Sequence, residues 1–400
     1  MTSILITNIG ELMTQDRAHT VLPDAAIMLE GERVSWIGAA SGAPAADEMY
    51  DAGGRAALPG WVDSHTHLVF AGDRTAEFEA RMAGEGYAAG GIAVTMEATR
   101  QASDHELTRL LLARVDEAVA GGTTYLETKT GYGLDEEHEA RSARIAAEVV
   151  DEVTYLGAHL LPEGIAAEDY VRLVCGPMLK AVRPYVQWAD VFCERGAFTP
   201  EQSREVLTAC RKSGLGLRVH GNQLGHGEGV RLAVEFDAAS VDHVNHLTDG
   251  DISALADSWS GWATGQRGTV ATCLPACDLS TRQPLAPGRK LLDAGVEIAL
   301  ASNCNPGTSY TTSMAFCVTT AVLQMGLSVH EAVRAATWGG ALALHSESGT
   351  DDDGERAVGS IAVGHRADVQ LLNAPSATHL AYRPGVPLTH AVWRKGERVR

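Results

Sequence analysis

Two histidines separated by a single residue, His65-Thr66-His67, follow an apolar segment at 56–63. Side chains alternate along a β-strand, so two positions two apart point to the same side. Two imidazoles on one side of a strand end can form part of a metal site, because neutral imidazole is a ligand for Zn²⁺ and Fe. An isolated pair of this kind is more often a surface or hydrogen-bonded pair, so its meaning depends on the rest of the chain.

Other chemically capable side chains also stand at the ends of short apolar segments. They are His159, Glu194, His220, His243 and Asn303. Any one of these histidines could be a satisfied core residue. If the segments are parallel strands of one barrel, their carboxyl ends meet on one face, and all of these side chains converge there.

The pattern between 57 and 355 predicts a (β/α)8 barrel. Apolar strands are expected at 57–63, 123–128, 152–158, 188–193, 215–220, 239–243, 269–274 and 297–303. Amphipathic helical stretches alternate with them, at 104–120, 135–150, 200–212 and 328–344 among others. Alternation of this kind is typical of a parallel sheet with crossover helices. The fold class is therefore α/β.

Both ends of the chain contain short strands and turns and no amphipathic helix. Strands are expected at 3–8, 25–29, 33–37, 359–364, 367–372 and 391–393. We predict that residues 1–56 and 356–400 pair into a small β-sandwich-like domain beside the barrel.

Composition excludes several classes of partner. The net charge of −19 argues against nucleic acid and against an anionic membrane surface. No apolar run reaches the ~18 residues that span a bilayer, and the start of the chain lacks the pattern of a signal peptide. Seven scattered cysteines favour a reduced, cytoplasmic protein. The expected partner is a small-molecule substrate.

Four segments, at 59–74, 129–134, 156–159 and 303–309, carry a specific resemblance. They contain the two histidines described above, Gly131-Tyr132-Gly133, His159 and Asn303-Cys304-Asn305. Together they resemble the imidazolonepropionases, a family within the amidohydrolase superfamily, and the resemblance covers essentially the whole chain. It implies hydrolysis of 4-imidazolone-5-propanoate to N-formimidoyl-L-glutamate, a step of histidine degradation, by a homodimer.

The same resemblance assigns roles to individual residues. One Zn²⁺ or Fe ion per chain would be bound by His65, His67, His220 and position 303. Arg74 and Tyr87 would hold the propionate carboxylate, and a planar guanidinium suits that task because it can bind a carboxylate through two hydrogen bonds. His243 would orient or polarise the substrate carbonyl or the attacking water. The remaining pocket residues implied are Tyr132, His159, Asn305, Gly307 and Thr308.

Two positions depart from the family pattern. The family usually has aspartate at the position of Asn303, where it both contacts the metal and carries a proton, and an amide has no useful proton affinity. Some members have glutamate at the position of Gln223 as a proposed base, and glutamine cannot serve as one. Proton transfer is therefore expected from His243, His159 or Glu194, and Glu194 could equally be a structural ion-pair partner. Lys129 is interpreted as structural.

Three interpretations of Asn303 stay open: a working natural variant, a relative with a different substrate, or an inactivated form. The leading hypothesis is a metal-dependent cyclic amidohydrolase. One alternative is a related hydrolase of another cyclic amide or amidine that bears a carboxylate. The other is a metal-poor, inactive protein that keeps the pocket and only binds.

Overall fold

A computed structural model describes residues 2–84, 91–349 and 357–400. Within these ranges the strands, numbered in chain order, are β1 (Ser3–Met13), β2 (Val21–Glu30), β3 (Arg33–Ala39), β4 (Glu48–Asp51), β5 (Ala56–Pro59), β6 (Trp61–Asp63), β7 (Thr123–Lys129), β8 (Glu152–Ala158), β9 (Trp188–Cys193), β10 (Gly216–Gly221), β11 (Ser240–His243), β12 (Val270–Cys273), β13 (Ile298–Leu300), β14 (Val369–Leu372), β15 (Thr389–Arg394) and β16 (Glu397–Arg398).

The helices alternate with the central strands along the chain. Within the described ranges they are α1 (Thr75–Met82), α2 (Ile92–Gln101), α3 (Asp104–Ala120), α4 (Glu136–Ala147), α5 (Ala167–Leu173), α6 (Leu179–Val182), α7 (Pro200–Lys212), α8 (Gly229–Glu235), α9 (Asp249–Ser258), α10 (Pro275–Thr281), α11 (Gly288–Asp293), α12 (Met314–Gln324), α13 (Val329–Arg334), α14 (Gly340–Ala343) and α15 (His379–Tyr382).

Strands β6 to β13 form a parallel barrel in simple sequence order. Beyond the strand ends, Asn303 N donates to His65 O at 2.9 Å, and His67 N donates to Cys304 O at 2.9 Å. These two hydrogen bonds join the segment after the first barrel strand to the segment after the last, so the barrel is nearly closed. The predicted barrel with a small β-domain from both chain ends is confirmed.

The terminal strands form one mixed sheet in the order β16-β15-β14-β5-β1-β2-β3, with β4 also paired to β1. Strand β14 runs antiparallel to β5, with Leu58 opposite Gln370. The core on this sheet includes Ile6, Leu12, Ile27 and Trp393, all buried. Both chain ends contribute strands, so neither end can complete this sheet alone.

Two details of the sequence prediction were wrong. The strand expected at 57–63 is two strands, because the backbone changes partners at Gly60: Gly60 N donates to Asp368 O, whereas Trp61 N donates to Gly122 O. No strand forms at 359–364, where Gly364 N instead donates to Val34 O in a turn. The helix expected at 328–344 is present over 329–343, with a π-helical turn at Ala335–Gly339 between α13 and α14.

The chain divides into two compact units. One comprises Met1–Asp63, Asp116–Tyr125 and Ser313–Arg400, and the other comprises Ser64–Val115 and Leu126–Thr312. The predicted domain boundary between 56 and 57 stays a prediction, and that between 355 and 356 lies outside the described residues. Among the described helices, none is both long and apolar enough to cross a bilayer.

Candidate active site

Four histidines, all of them in the second unit, meet at the carboxyl ends of three barrel strands. His65 and His67 follow β6, while His220 and His243 lie at the ends of β10 and β11. The ring centroids of His65 and His220 are 4.6 Å apart, and those of His220 and His243 are 5.3 Å apart. All four side chains are buried. Because the carboxyl ends of the parallel strands lie on one face of the barrel, imidazoles that are far apart in sequence come together there.

The cluster offers nitrogen and oxygen atoms that have no protein partner. Among the described residues, the buried atoms without a hydrogen bond include His65 Nε2, His67 Nδ1, His243 Nδ1 and Asn303 Oδ1. Ligand atoms of His65, His220 and His243 lie within 4.8 Å of one another. His67 lies at the edge of the cluster and stacks on His159. Buried imidazole nitrogens without partners suit a divalent transition metal.

Two carboxylates orient two of the histidines through hydrogen bonds to their Nδ1 atoms. Asp242 Oδ2 lies 2.6 Å from His65 Nδ1, and Asp190 Oδ2 lies 3.0 Å from His220 Nδ1. A carboxylate accepts hydrogen bonds, so each Nδ1 carries the proton and each Nε2 is left with its lone pair. Sequence reasoning missed both aspartates. The available signal was an acidic residue inside an otherwise apolar strand.

Beneath the histidines lies a buried cluster of five charged side chains. Lys129 Nζ is 3.0 Å from both Glu127 Oε1 and Asp190 Oδ2, and Arg218 Nη2 is 3.2 Å from Asp242 Oδ2. Three carboxylates against two cations leave this cluster with a net charge of −1. Although burial opposes it, the interactions of Asp190 with His220 and Lys129 hold its pKa below the usual value. Lys129 is engaged by carboxylates, which agrees with its structural interpretation.

The imidazoles of His65, His159 and His243 are neutral at neutral pH. Burial, with the nearby Lys129 charge, lowers the pKa of His65 well below its ordinary value. Burial also lowers the pKa of His243 well below that value, and of His159 to about 4. Neutral imidazole is the form that binds a metal or accepts a proton.

These depressed values predict how stability depends on pH. Between the ordinary histidine pKa of 6.5 and the folded value of about 4 for His159, the unfolded chain binds a proton that the folded chain does not. The free energy of unfolding of the metal-free protein should therefore fall as pH decreases through this window. Denaturant unfolding at several pH values measures the slope. In His159→Asn the slope should be shallower by about 1.4 kcal/mol per pH unit, and an unchanged slope would contradict the assignment.

A small cavity opens beside the histidines and collects most of the predicted pocket residues. It is lined by His67, Arg74, Ile92, Tyr132, His159, Phe192, His220, Gln223, His243, Asn303, Asn305 and Thr308. Ile92 and Phe192 were missed by sequence reasoning because a single apolar residue carries no signal of a pocket. Gly307 does not line the cavity but lies against Arg74, and Tyr87 lies outside the described residues.

Two loops hold the polar lining in place. His159 Nδ1 lies 2.9 Å from Gly131 O, so Nδ1 donates and Nε2 is left as an acceptor. The side chain of Asn305 is occupied within its own loop: Oδ1 accepts from Gly307 N and Thr308 N, and Nδ2 donates to Asn303 O. Asn305 therefore shapes the loop that carries Asn303.

Gln223 lines the cavity beside the histidines, whereas Glu194 does not. The Glu194 carboxylate accepts hydrogen bonds from the backbone N–H groups of Arg195, Gln223 and Leu224, at 3.3, 2.8 and 3.0 Å. It does not line the cavity of the histidines but a neighbouring one. The side chain of Gln223 does line the cavity. Glu194 thus fixes the backbone of the loop that carries Gln223.

The chain matches known proteins over nearly its whole length. The model of the amidohydrolase family matches residues 56–399. The chain belongs to the amidohydrolase family. Among its relatives in that family, an imidazolonepropionase of Arthrobacter sp. (strain FB24) is 78% identical over 399 residues, covering 100% of each chain. An imidazolonepropionase of Micrococcus luteus is 64% identical over 407 residues, again covering 100% of each chain.

Solved structures support the same fold at much lower identity. An atrazine chlorohydrolase variant from Arthrobacter aurescens TC1, complexed with zinc and atraton, is 17% identical with a TM-score of 0.73, covering 99% of this chain and 95% of its own. An adenosine deaminase from Xanthomonas campestris with bound zinc is 17% identical with a TM-score of 0.71, covering 99% and 92%. At this identity the likeness shows the amidohydrolase fold alone.

Proposed function

We propose that this chain hydrolyses 4-imidazolone-5-propanoate to N-formimidoyl-L-glutamate. The observation that carries the proposal is the full-length identity of 78% to an imidazolonepropionase, in a chain whose histidine cluster adjoins a cavity lined by a buried arginine. In this reaction the oxygen of water joins the ring carbonyl carbon. The bond from that carbon to the ring nitrogen breaks, and the nitrogen leaves with a proton.

The residues that would hold the metal are His65, His67, His220 and Asn303 through Oδ1. The unpartnered atoms and neutral imidazoles described above fit Zn²⁺ or Fe, and the choice between them is part of the proposal. Such an ion supplies a Lewis acid and lowers the pKa of a bound water from 15.7 to roughly 7. The buried net charge of −1 behind His65 and His220 would favour a cation at this place.

The protein groups divide the remaining tasks. His243, neutral and with Nδ1 unpartnered, would take the proton from the attacking water and deliver it to the leaving nitrogen. His159 Nε2 would accept a hydrogen bond from a ring N–H, and Tyr132 would lie against the ring. Arg74 would bind the propionate carboxylate together with Tyr87. Phe192 and Ile92 would exclude water from the apolar side of the cavity.

The test is turnover by purified, metal-loaded protein. Loss of 4-imidazolone-5-propanoate is followed beside a no-enzyme control, because the compound is labile, and N-formimidoyl-L-glutamate is identified as the product. Product formation supports the proposal and shows that Asn303 is compatible with catalysis. Absence of turnover in metal-replete protein would favour another carboxylate-bearing cyclic amide or amidine as the substrate. A metal content far below one ion per chain, with no gain on adding Zn²⁺, would favour an inactive binding protein.

Asp242 offers a prediction about metal affinity. Asp242→Asn removes the carboxylate that orients His65 Nδ1 and should weaken metal binding about 10–100-fold. Chelator competition measures the affinity directly. The matched control is Asp251→Asn, a buried carboxylate that accepts a hydrogen bond from Thr248 N and belongs to neither group of candidate ligands among the described residues. Equal affinity in wild type and Asp242→Asn would remove Asp242 from this role.

The setting of the enzyme completes the proposal. We propose a cytoplasmic location, supported by seven cysteines that form no disulfide bond: Cys175, Cys193, Cys210, Cys273, Cys277, Cys304 and Cys317. We also propose a homodimer without nucleic-acid or membrane partners, and light scattering of the purified protein tests the oligomeric state.

A further inference from the structure

The guanidinium of Arg74 is already bound by a carboxylate of its own chain. Arg74 Nε donates to Glu77 Oε2 at 2.7 Å, and Arg74 Nη2 donates to Glu77 Oε1 at 2.7 Å. This is a bidentate pair, in which the planar guanidinium and the carboxylate share two parallel hydrogen bonds. The Arg74 side chain is 3% exposed and that of Glu77 is 32% exposed. The arginine of this pair is therefore buried, whereas both side chains of an ordinary surface ion pair are exposed.

The remaining edge of the guanidinium is left for a ligand. Within the described part of the chain, Arg74 Nη1 makes no hydrogen bond, while Arg74 itself lines the cavity beside the histidines. Glu77 occupies the edge formed by Nε and Nη2. A second carboxylate could then bind through Nη1 and the other N–H of Nη2, because the guanidinium carries five N–H groups.

Two glycines leave room for the guanidinium in this position. A Cβ at Gly307 would collide with Nη1, Cζ and Nη2 of Arg74, and one at Gly91 would collide with both Arg74 Nη2 and the Glu77 carboxylate. Gly307 O also accepts a hydrogen bond from Arg81 Nη2 at 3.0 Å. The backbone on two sides is thus shaped around the ion pair.

A second arginine restores the positive charge that Glu77 neutralises. Arg81 Nη1 is 3.6 Å from Glu77 Oε1, and its side chain is 3% exposed. Two arginines against one glutamate leave the triad Arg74–Glu77–Arg81 with a net charge of +1. A buried net charge of this sign is suited to one carboxylate.

We propose that Glu77 is a positioning residue that fixes Arg74 for the substrate carboxylate, and that Arg81 keeps the site positive so that it selects a carboxylate over a neutral group. The proposal rests on the proposed function for the carboxylate of the substrate. Glu77 stays in place when the ligand binds, since the ligand uses the adjacent edge of the guanidinium, formed by Nη1 and the second N–H of Nη2. The opposite model, in which Glu77 competes with the ligand for Arg74, gives the reverse result in the experiment below.

The experiment compares two ligands with the same ring. Imidazole-4-propanoate carries the carboxylate, 4-ethylimidazole lacks it, and calorimetric titration of the metal-loaded protein gives the Kd of each. Glu77→Gln should raise the Kd of imidazole-4-propanoate about tenfold and leave that of 4-ethylimidazole within about twofold. Glu77→Gln also adds positive charge, so charge alone would tighten the binding of the carboxylate. Weaker binding is therefore specific to positioning.

A second variant tests the charge balance. Arg81→Gln lowers the net charge of the triad to zero and should weaken imidazole-4-propanoate selectively, which keeps the proposal testable if Glu77→Gln folds poorly. Tighter or unchanged binding of imidazole-4-propanoate by Glu77→Gln, or equal losses for both ligands, would overturn the positioning role. So would a wild-type protein that does not distinguish the two ligands. Turnover of 4-imidazolone-5-propanoate by wild type is scored separately, so each proposal can fail without the other.

Discussion

Replacing Asn303 with aspartate is expected to raise kcat by about 10²–10⁴. The amide at this position could offer Oδ1 to a cation but cannot accept a proton, so in the proposed mechanism His243 would carry proton transfer without help from position 303. A carboxylate of the same shape adds a base beside the attacking water. The backbone tolerates the change, because Asn303 has φ 52° and aspartate adopts this left-handed conformation almost as readily as asparagine. The carboxylate should also increase metal affinity, since it adds a negative charge to a set of neutral ligands.

The measurement is kcat on 4-imidazolone-5-propanoate at equal metal occupancy in both proteins. Asn303→Gly is the matched variant, since glycine adopts the left-handed conformation at φ 52° without strain and removes the oxygen. It should lose metal affinity without any gain in rate. An Asn303→Asp protein with unchanged kcat would mean that His243 already carries the proton at full efficiency.

Removing single imidazoles is expected to separate ligands from the proton carrier. His220→Ala and His67→Ala should lose stoichiometric metal, because each removes one of three nitrogen ligands. His243→Ala should keep its metal and lose most turnover, by about 10²–10⁴ if general acid–base catalysis is removed. Metal analysis of the purified variants, with kcat at matched occupancy, gives both quantities.

The geometry makes this experiment decisive. Among the described residues, the group of three histidines whose ligand atoms lie within 4.8 Å of one another contains His243 and not His67. Loss of metal in His243→Ala, with metal retained in His67→Ala, would therefore reassign the ligand set to His65, His220 and His243. His159→Ala is the control in this series, because His159 stacks on His67 and lines the cavity without belonging to either set.

The barrel and its histidines could be predicted because both depend on local pattern. Strand and helix periods alternate along the chain, and a histidine at the end of an apolar run is conspicuous. The predicted bounds 104–120 and 200–212 coincide with α3 and α7, and the latter begins at a Thr199 capping box that the sequence displays. Local signals of this kind need no knowledge of the tertiary structure.

The partners behind those histidines could not be predicted, because they depend on register between strands. Asp242 pairs with His65 across 177 positions of the chain, and nothing near either residue indicates the other. Glu77 is close to its partner in sequence, but this closeness is uninformative. At three residues after Arg74, the two would be interpreted as an ordinary surface ion pair on a helix. Only burial of the arginine distinguishes it. Glu194 at a strand end looked catalytic, yet its acceptor atoms are engaged by backbone N–H groups, which a sequence does not reveal.

The pairing of β5 with β14 bears on how the chain acquires its structure during synthesis. Gln370 Nε2 donates to Pro59 O across 311 positions, so the edge of β5 that pairs with β14 has no partner until the chain has been synthesised beyond residue 370, whereas its other edge can pair with β1 early. Closing so large a loop is entropically unfavourable and slow compared with local contacts. Until β14 has been synthesised, the nascent N-terminal sheet therefore exposes the unpaired edge of β5, and chaperone binding or aggregation at this edge can compete with folding.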